Sequence, residues 1–178
     1  MLIFNHLETT MIEVIFTSEA ARKSYGELTY ATPGSAAIDL RAMIDSPMVI
    51  LPSEQAMIPT GIKLNMQTEG IPYPFGLAAI ALPRSGRGSK DGLVLGNTAG
   101  LIDTDYQGEI RLCVWARPTS GHLSSNNRMG GTPIHIEPGE RIAQLMFVPV
   151  FKAMFKTVDE FTSASHRGAG GFGSTGNE

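Results

Sequence analysis

Apolar residues along the chain fall in short runs rather than in stripes spaced three and four apart, and turn-forming residues interrupt them roughly every eight to twelve positions. That pattern predicts strands at Ile12–Phe16, Ala36–Ala42, Val49–Leu51, Ala56–Lys63, Phe75–Leu82, Leu93–Gly96, Glu109–Trp115, Ile134–Ile136 and Ala143–Phe151. Many short strands separated by frequent turns make an all-β barrel or jelly roll the expected fold. One short helix is expected over Ser85–Lys90, where a serine stands at a candidate N-cap directly after Pro83-Arg84. Residues 117–133 (RPTSGHLSSNNRMGGTP) read as a long, mobile, polar surface insertion. Residues 163–178 carry Gly168, Gly170, Gly171, Gly173 and Gly176 but only one large apolar side chain, Phe172, so this arm cannot hold itself folded. Because Met11 opens the first strand-like segment, residues 1–10 are expected to be an upstream extension of a single domain spanning 11–162.

Composition narrows this picture. With 178 residues, 42% of them hydrophobic, the chain can bury one sizeable core but not two. A net charge of -3 and an isoelectric point near 5.8 leave no broad basic footprint for a nucleic-acid backbone, so no nucleic-acid partner is expected. The lone cysteine, Cys113, cannot form an internal disulfide, and no Cys/His spacing resembles a zinc site, which makes a cytoplasmic protein the expectation. The apolar opening Met1–Phe4 is far too short for a signal segment or a membrane span, so no membrane partner is expected either.

Three segments carry candidate chemistry. In GLIDTDYQGEI, Gly100–Ile110, two acids and a tyrosine lie between glycines on the expected return strand of a hairpin, where alternation would put Asp103 and Asp105 on one face. Taken alone, an Asp-x-Asp is more often a solvated pair of acids, by about three to one. Pro83-Arg84-Ser85-Gly86 places a guanidinium, a hydroxyl and free backbone N–H groups at a helix start, which are phosphate-binding parts, although an ordinary capped turn would look the same. The terminal segment Arg167–Gly176 adds an arginine, hydroxyls and the Phe172 ring. A purely solvating tail has no use for that ring, whereas a lid over a bound base would stack with it.

With these segments in view, the chain resembles the trimeric dUTPase family, whose five short motifs are matched in order. Ala36–Ala42 is similar to the first, Pro83–Gly92 to the second, Gly96–Gly108 to the third, Gly139–Gln144 to the fourth and Arg167–Gly176 to the glycine-rich fifth. The resemblance implies a distorted β-barrel or jelly roll of the dUTPase type with a flexible C-terminal arm, assembled as a homotrimer with active sites shared between subunits. It implies hydrolysis of dUTP to dUMP and pyrophosphate, lowering dUTP and supplying dUMP for thymidylate synthesis. Asp103 would activate a water for in-line attack on the α-phosphorus, with positioning and charge neutralisation supplying most of the catalysis. Mg2+ would be the cofactor, carried mainly by substrate phosphates and waters with no direct protein ligand, and Asp39 would reach it only through a water.

The same resemblance puts uracil against the backbone of the hairpin around Asn97, Leu101 and Ile102, with Tyr106 under the sugar where a ribose hydroxyl would otherwise sit. Arg84, Ser85, Gly86 and Gln144 would hold the phosphates, joined by Arg167, Phe172, Gly173 and Ser174 from the arm of another subunit. Arg111 is either a substrate contact or a salt-bridged surface arginine. Motif two departs from the family pattern at Arg87 and Asp91, neither of which is expected to touch the phosphorus. His122, His135 and His166 read as structural or solvent-exposed, Cys113 as a small buried hydrophobe, and Trp115 as core or subunit contact.

Two rival functions stand beside this one. A dCTP deaminase-like enzyme would carry a proton-transferring glutamate after Gly-x-Ile-x-Leu, where this chain has Cys113. A nucleotide-responsive regulatory binding protein would use the same pocket as a sensor, but it would not need the water-activating acid.

Overall fold

In the computed structural model, which describes residues 11–67, 75–118, 131–166 and 168–169, the short apolar runs pair as antiparallel strands throughout. The elements are β1 (Glu13–Phe16), α1 (Glu19–Tyr25), β2 (Ile38–Arg41), β3 (Met48–Ile50), β4 (Gln55–Pro59), β5 (Ile62–Asn65), β6 (Phe75–Pro83), α2 (Ser85–Lys90), β7 (Leu93–Leu95), β8 (Gly100–Ile102), β9 (Arg111–Ala116), β10 (Ile134–Ile136) and β11 (Arg141–Phe151). They form a four-stranded sheet in the order β2-β11-β6-β8, a three-stranded sheet β4-β9-β7, and the pairs β1-β5 and β10-β3. The expected all-β architecture is therefore present.

Alternation explains the core. In β9, Leu112, Val114 and Ala116 are buried while Arg111, Cys113 and Trp115 face outward. Leu40, Ile58, Ile62, Met66, Leu93, Ile136, Ile142 and Leu145 are fully buried between the sheets. Each such aliphatic side chain contributes about 1.5–3 kcal/mol by leaving water. Trp115 is thus half-buried on the outer face and not part of the core, and Cys113 is half-buried rather than sealed inside. His135 and His166 are exposed.

Two expectations need correction. The run Ala56–Lys63 is not one strand, because it breaks at Thr60-Gly61, where Gly61 takes φ 74° and the chain passes from the sheet of β9 to the partner of β1. Buried Thr60 survives there because its hydroxyl donates to the Ile110 carbonyl at 2.6 Å. The expected single helix is joined by a second, α1. Ser18 caps it by accepting from the Ala21 N–H at 3.0 Å, Glu19 and Arg22/Lys23 suit its dipole, and Gly26 closes it at φ 63°. Its seven residues bury only Ala21, too little apolar surface to register as a helical stripe.

Candidate active site

The hairpin joining β7 to β8 builds the first cleft. The Gly96 N–H donates to the Cys113 carbonyl at 2.8 Å, and the turn closes with the Thr98 N–H on the Leu95 carbonyl at 3.0 Å. Thr98 sits at φ 62°, a conformation that costs a β-branched residue on the order of 1–3 kcal/mol and that holds the neighbouring Asn97 at the tip. Gly100 lies so close to β6 that an added Cβ would stand 3.3 Å from the Ala81 Cβ. The resulting cavity of about 320 Å³ is lined by Asn97, Gly100, Ile102, Asp103, Tyr106 and Arg111, with Cys113 and Leu112 behind. Leu101 stands on its rim, 66% exposed.

Asp103 does not lie on a strand, as alternation had suggested. Strand β8 stops at Ile102, and Asp103–Tyr106 form a turn closed by the Tyr106 N–H donating to the Asp103 carbonyl at 3.1 Å. Both Asp103 and Asp105 are exposed, but only Asp103 faces the cleft. Asp105 lines a neighbouring hollow with Thr104, Phe151 and Lys152, and Asp103 borders that hollow as well. The turn is anchored twice: the Thr104 hydroxyl donates to the Leu77 carbonyl, and the Tyr106 hydroxyl donates to the Glu109 carbonyl at 3.0 Å. The tyrosine lies over Gly108, where a Cβ would come within 2.6 Å of its oxygen. Among the described residues no carboxylate pairs with Arg111, so of its two expected roles the salt-bridged one is not seen. The Cys113 thiol reaches the Gln55 side-chain oxygen at 3.5 Å, and no proton-transferring acid occupies the position a deaminase would need.

A second cavity, of about 600 Å³, lies where β2, β11 and the start of α2 meet, and contains Asp39, Arg84, Ser85, Gly86, Arg141 and Gln144. Arg84 Nε bonds Asp39 Oδ1 at 2.9 Å while Arg141 Nη1 bonds Asp39 Oδ2 at 3.1 Å, so one carboxylate holds two guanidinium groups. Gln144 is fixed by its amide donating to the Pro83 carbonyl at 3.0 Å. Arg141 escaped the sequence reading although it lies inside motif four. In a regular strand, residues three apart point to opposite faces, but a bulge between Arg141 and Ala143 buries both Ile142 and Ala143 and returns Arg141 and Gln144 to the same side.

Strand register separates the two cavities. Ile38, Leu145, Ala81 and Gly100 form one cross-strand row that points inward, and the next row, Asp39, Gln144 and Leu82, points outward. The Asp103 cleft draws on the inward row and the Arg84 cleft on the outward one, and they share no residue. Arg167, Phe172, Gly173 and Ser174 lie outside the described residues.

Half-buried Tyr25 ties β2 to the bend between β4 and β5. Its hydroxyl donates to the Thr60 carbonyl at 2.9 Å and accepts from the Arg41 N–H at 2.8 Å, and the Arg41 side chain continues to the Gly139 carbonyl at 2.8 Å. Burial pushes the Tyr25 phenol up to about 12, opposed only in part by the backbone bond and charge of Arg41. Among the described residues no group of three acids, histidines or cysteines is arranged to hold a metal, and no helix is long and apolar enough to cross a membrane.

Comparison with known proteins places this geometry. The dUTPase family model matches residues 24–176. The deoxyuridine 5'-triphosphate nucleotidohydrolase of Aeromonas hydrophila subsp. hydrophila is 44% identical over 170 residues, covering 96% of this chain and 99% of that protein. The protein of the same name from Shewanella sp. (strain ANA-3) is 52% identical over 147 residues, covering 83% and 84% respectively. Among solved structures, a mutant dUTPase of Staphylococcus bacteriophage 80alpha with dUpNHpp superposes with TM-score 0.72 at 27% identity, covering 94% of this chain and 99% of that one. A mutant dUTPase from phage phi11 of S. aureus, described for its structural Mg(II) ion, gives TM-score 0.63 at 25% identity, covering 85% of this chain and 98% of that one. An acid-bearing turn beside a backbone-lined cleft, an arginine-serine helix start across the sheet, and this breadth of sequence likeness agree: the chain belongs to the dUTPase family.

Proposed function

We propose that this chain hydrolyses dUTP to dUMP and pyrophosphate. The observation that carries the reading is Asp103, an exposed carboxylate held by an anchored turn at the mouth of a cleft whose other wall is the Asn97 hairpin. The hairpin offers backbone donors and acceptors and the Asn97 amide to the edge of uracil, and cytosine would present the wrong pattern. Backbone approaching the ring at Gly100 would exclude the thymine methyl by shape, and Tyr106 would pack under the sugar where a ribose hydroxyl would otherwise sit. Unpaired buried polar groups reject more strongly than excluded volume, so the cytosine test is the most stringent of the three.

Arg84, Ser85, Gly86 and Gln144 supply the phosphate cradle, and Arg141 adds a further guanidinium. Since the cradle and Asp103 face opposite sides of one sheet, a single nucleotide needs the cleft of one copy and the cradle of another. This supports a homotrimer with shared sites, each closed by Arg167, Phe172, Gly173 and Ser174 of an arm. Asp103 takes a proton from a water aligned with the α-phosphorus, the new P–O bond forms as the bond to the β-phosphate oxygen breaks, and pyrophosphate leaves within the arginine cradle.

Mg2+ fits as an ion carried on phosphate oxygens and waters, since the cradle is cationic and Asp39 already binds Arg84 and Arg141 with both oxygens. Each of those oxygens keeps a lone pair for a water, which is the contact Asp39 would make with the ion. When bound, the ion neutralises charge building on the leaving pyrophosphate. A cytoplasmic setting accords with the single unpaired cysteine.

The decisive experiment measures pyrophosphate release from dUTP, dCTP, dTTP and UTP, with and without Mg2+, for the wild-type protein and Asp103→Ala. Release from dUTP alone, falling by about 10²–10⁴-fold in the variant, is the expected result. A wild-type protein that binds dUTP without releasing pyrophosphate would leave a sensor in place of an enzyme.

A further inference from the structure

The second motif departs from the family pattern at Arg87 and Asp91, and the departure has a structural counterpart. Helix α2 reads Ser-Gly-Arg-Gly-Ser-Lys, six residues with two glycines and not one apolar side chain. Its intrinsic helical tendency is poor, and it has no hydrophobic face to bury. Its N-cap, Arg84, makes no side-chain capping bond either. Polar contacts must hold it against the sheet instead: Asp39 ties the N-cap Arg84 to β2, and Arg117 Nη2 donates to the Gly88 carbonyl at 3.1 Å.

Among the described residues, the one side chain of α2 that bonds beyond the helix is Arg87. Its Nη1 bonds Asp91 Oδ2 at 2.8 Å, and its Nη2 bonds Glu140 Oε1 at 3.1 Å and the His135 carbonyl at 2.8 Å. Glu140 in turn closes its own turn by accepting from the Glu137 N–H at 3.0 Å, and it immediately precedes Arg141. The Arg87 side chain is three-quarters buried. The bridge therefore joins the two halves of the phosphate cradle, Ser85-Gly86 on α2 and Arg141 on β11.

We infer that Arg87 is a positioning residue for phosphate binding: through Glu140 and the His135 carbonyl it stands in for the missing apolar anchor of α2 and, beside the Arg84–Asp39–Arg141 link, helps to fix the spacing between the helix start and Arg141. It touches no substrate. This inference rests on the dUTP-hydrolysing reading, and it predicts a signature that general destabilisation lacks. The affinity lost should grow with the number of phosphates on the ligand, because only they meet the cradle.

The test measures dissociation constants of the full-length protein for dUMP, dUDP and the non-hydrolysable dUpNHpp, together with kcat and KM for dUTP. It compares wild type, Arg87→Met, which keeps the stem and removes the guanidinium, and Glu140→Gln, which weakens the far end of the bridge. Asp91→Asn is the control, since Asp91 is the helix's own C-cap and reaches neither β10 nor β11. Expected is a loss of about tenfold for dUpNHpp and less than about twofold for dUMP in Arg87→Met, a smaller graded loss in Glu140→Gln, and little change in Asp91→Asn. Equal losses for all three nucleotides, or none, in a variant whose thermal melt shows it folded would overturn the inference. If Arg87→Met does not fold, Glu140→Gln decides the matter by the same gradient. Absence of dUTP turnover in the wild type would instead defeat the reading on which the inference rests, so the two failures are distinct.

Discussion

Thr104 offers the sharpest test of how the turn bearing Asp103 is held. The β6–β8 register runs Ala81↔Gly100, Ile80↔Leu101, Ala79↔Ile102, and its continuation would set Thr104 opposite Leu77. The backbone leaves the ladder at Asp103, and the Thr104 hydroxyl supplies to the Leu77 carbonyl the donor that a strand N–H would have given. Thr104→Val keeps the shape and removes the donor. A half-buried carbonyl left without a partner costs about 1–3 kcal/mol, and partial access to water favours the lower part of that range. If about 1–2 kcal/mol falls on the geometry of the turn, the fraction of molecules with Asp103 in line drops by about 5–30-fold. Single-turnover pyrophosphate release should slow by that factor, while the dissociation constant for dUpNHpp changes little, because Asp103 acts on the water and not on the ligand. Thr104→Ser should restore the rate. The reasoning fails if the valine variant keeps its rate within about twofold, or if serine is as slow as valine.

Two further predictions concern stability. The folded chain keeps the Tyr25 proton up to about pH 12, whereas the unfolded chain releases it near the ordinary value of 10.0, so the folded state binds more protons in that window. Stability should therefore be unaffected by this group below pH 10 and fall as pH rises from 10 towards 12, by about 2–3 kcal/mol in full. Denaturant midpoints across that range should show the fall in wild type and lack it in Tyr25→Phe. The Gly61→Ala variant must place a Cβ 2.7 Å from both the Ala21 Cβ and the Met43 Cγ, at φ 74°. It should lose about 2–4 kcal/mol and melt roughly 5–15 °C lower, and an unchanged calorimetric melt would contradict the packing described.

The strands were legible because their apolar alternation is local, and α2 was legible because Pro83-Arg84-Ser85 is a local start signal. What sequence did not disclose depended on long-range partners. Helix α1 has a good cap at Ser18, but its one buried residue matters only because Gly61 comes to rest on it. Asp103 read as a strand residue because alternation carries no sign of the Thr104–Leu77 bond that ends the ladder. Arg141 was hidden by a bulge, and nothing local disclosed that Asp39 would also pair with Arg84 and Arg141. That Asp103 and Arg84 occupy separate cavities follows from register across three strands, which single-strand periodicity cannot supply.

The back-to-back arrangement of those cavities has a genetic consequence. A lesion in one cavity of a protomer spares the other, so two defective alleles, one altered at Asp103 and one at Arg84, are not equivalent. In the proposed trimer with shared sites, coexpressed copies would assemble mixed rings in which about a quarter of the junctions pair two intact halves, and a cell carrying both would recover part of what neither provides alone.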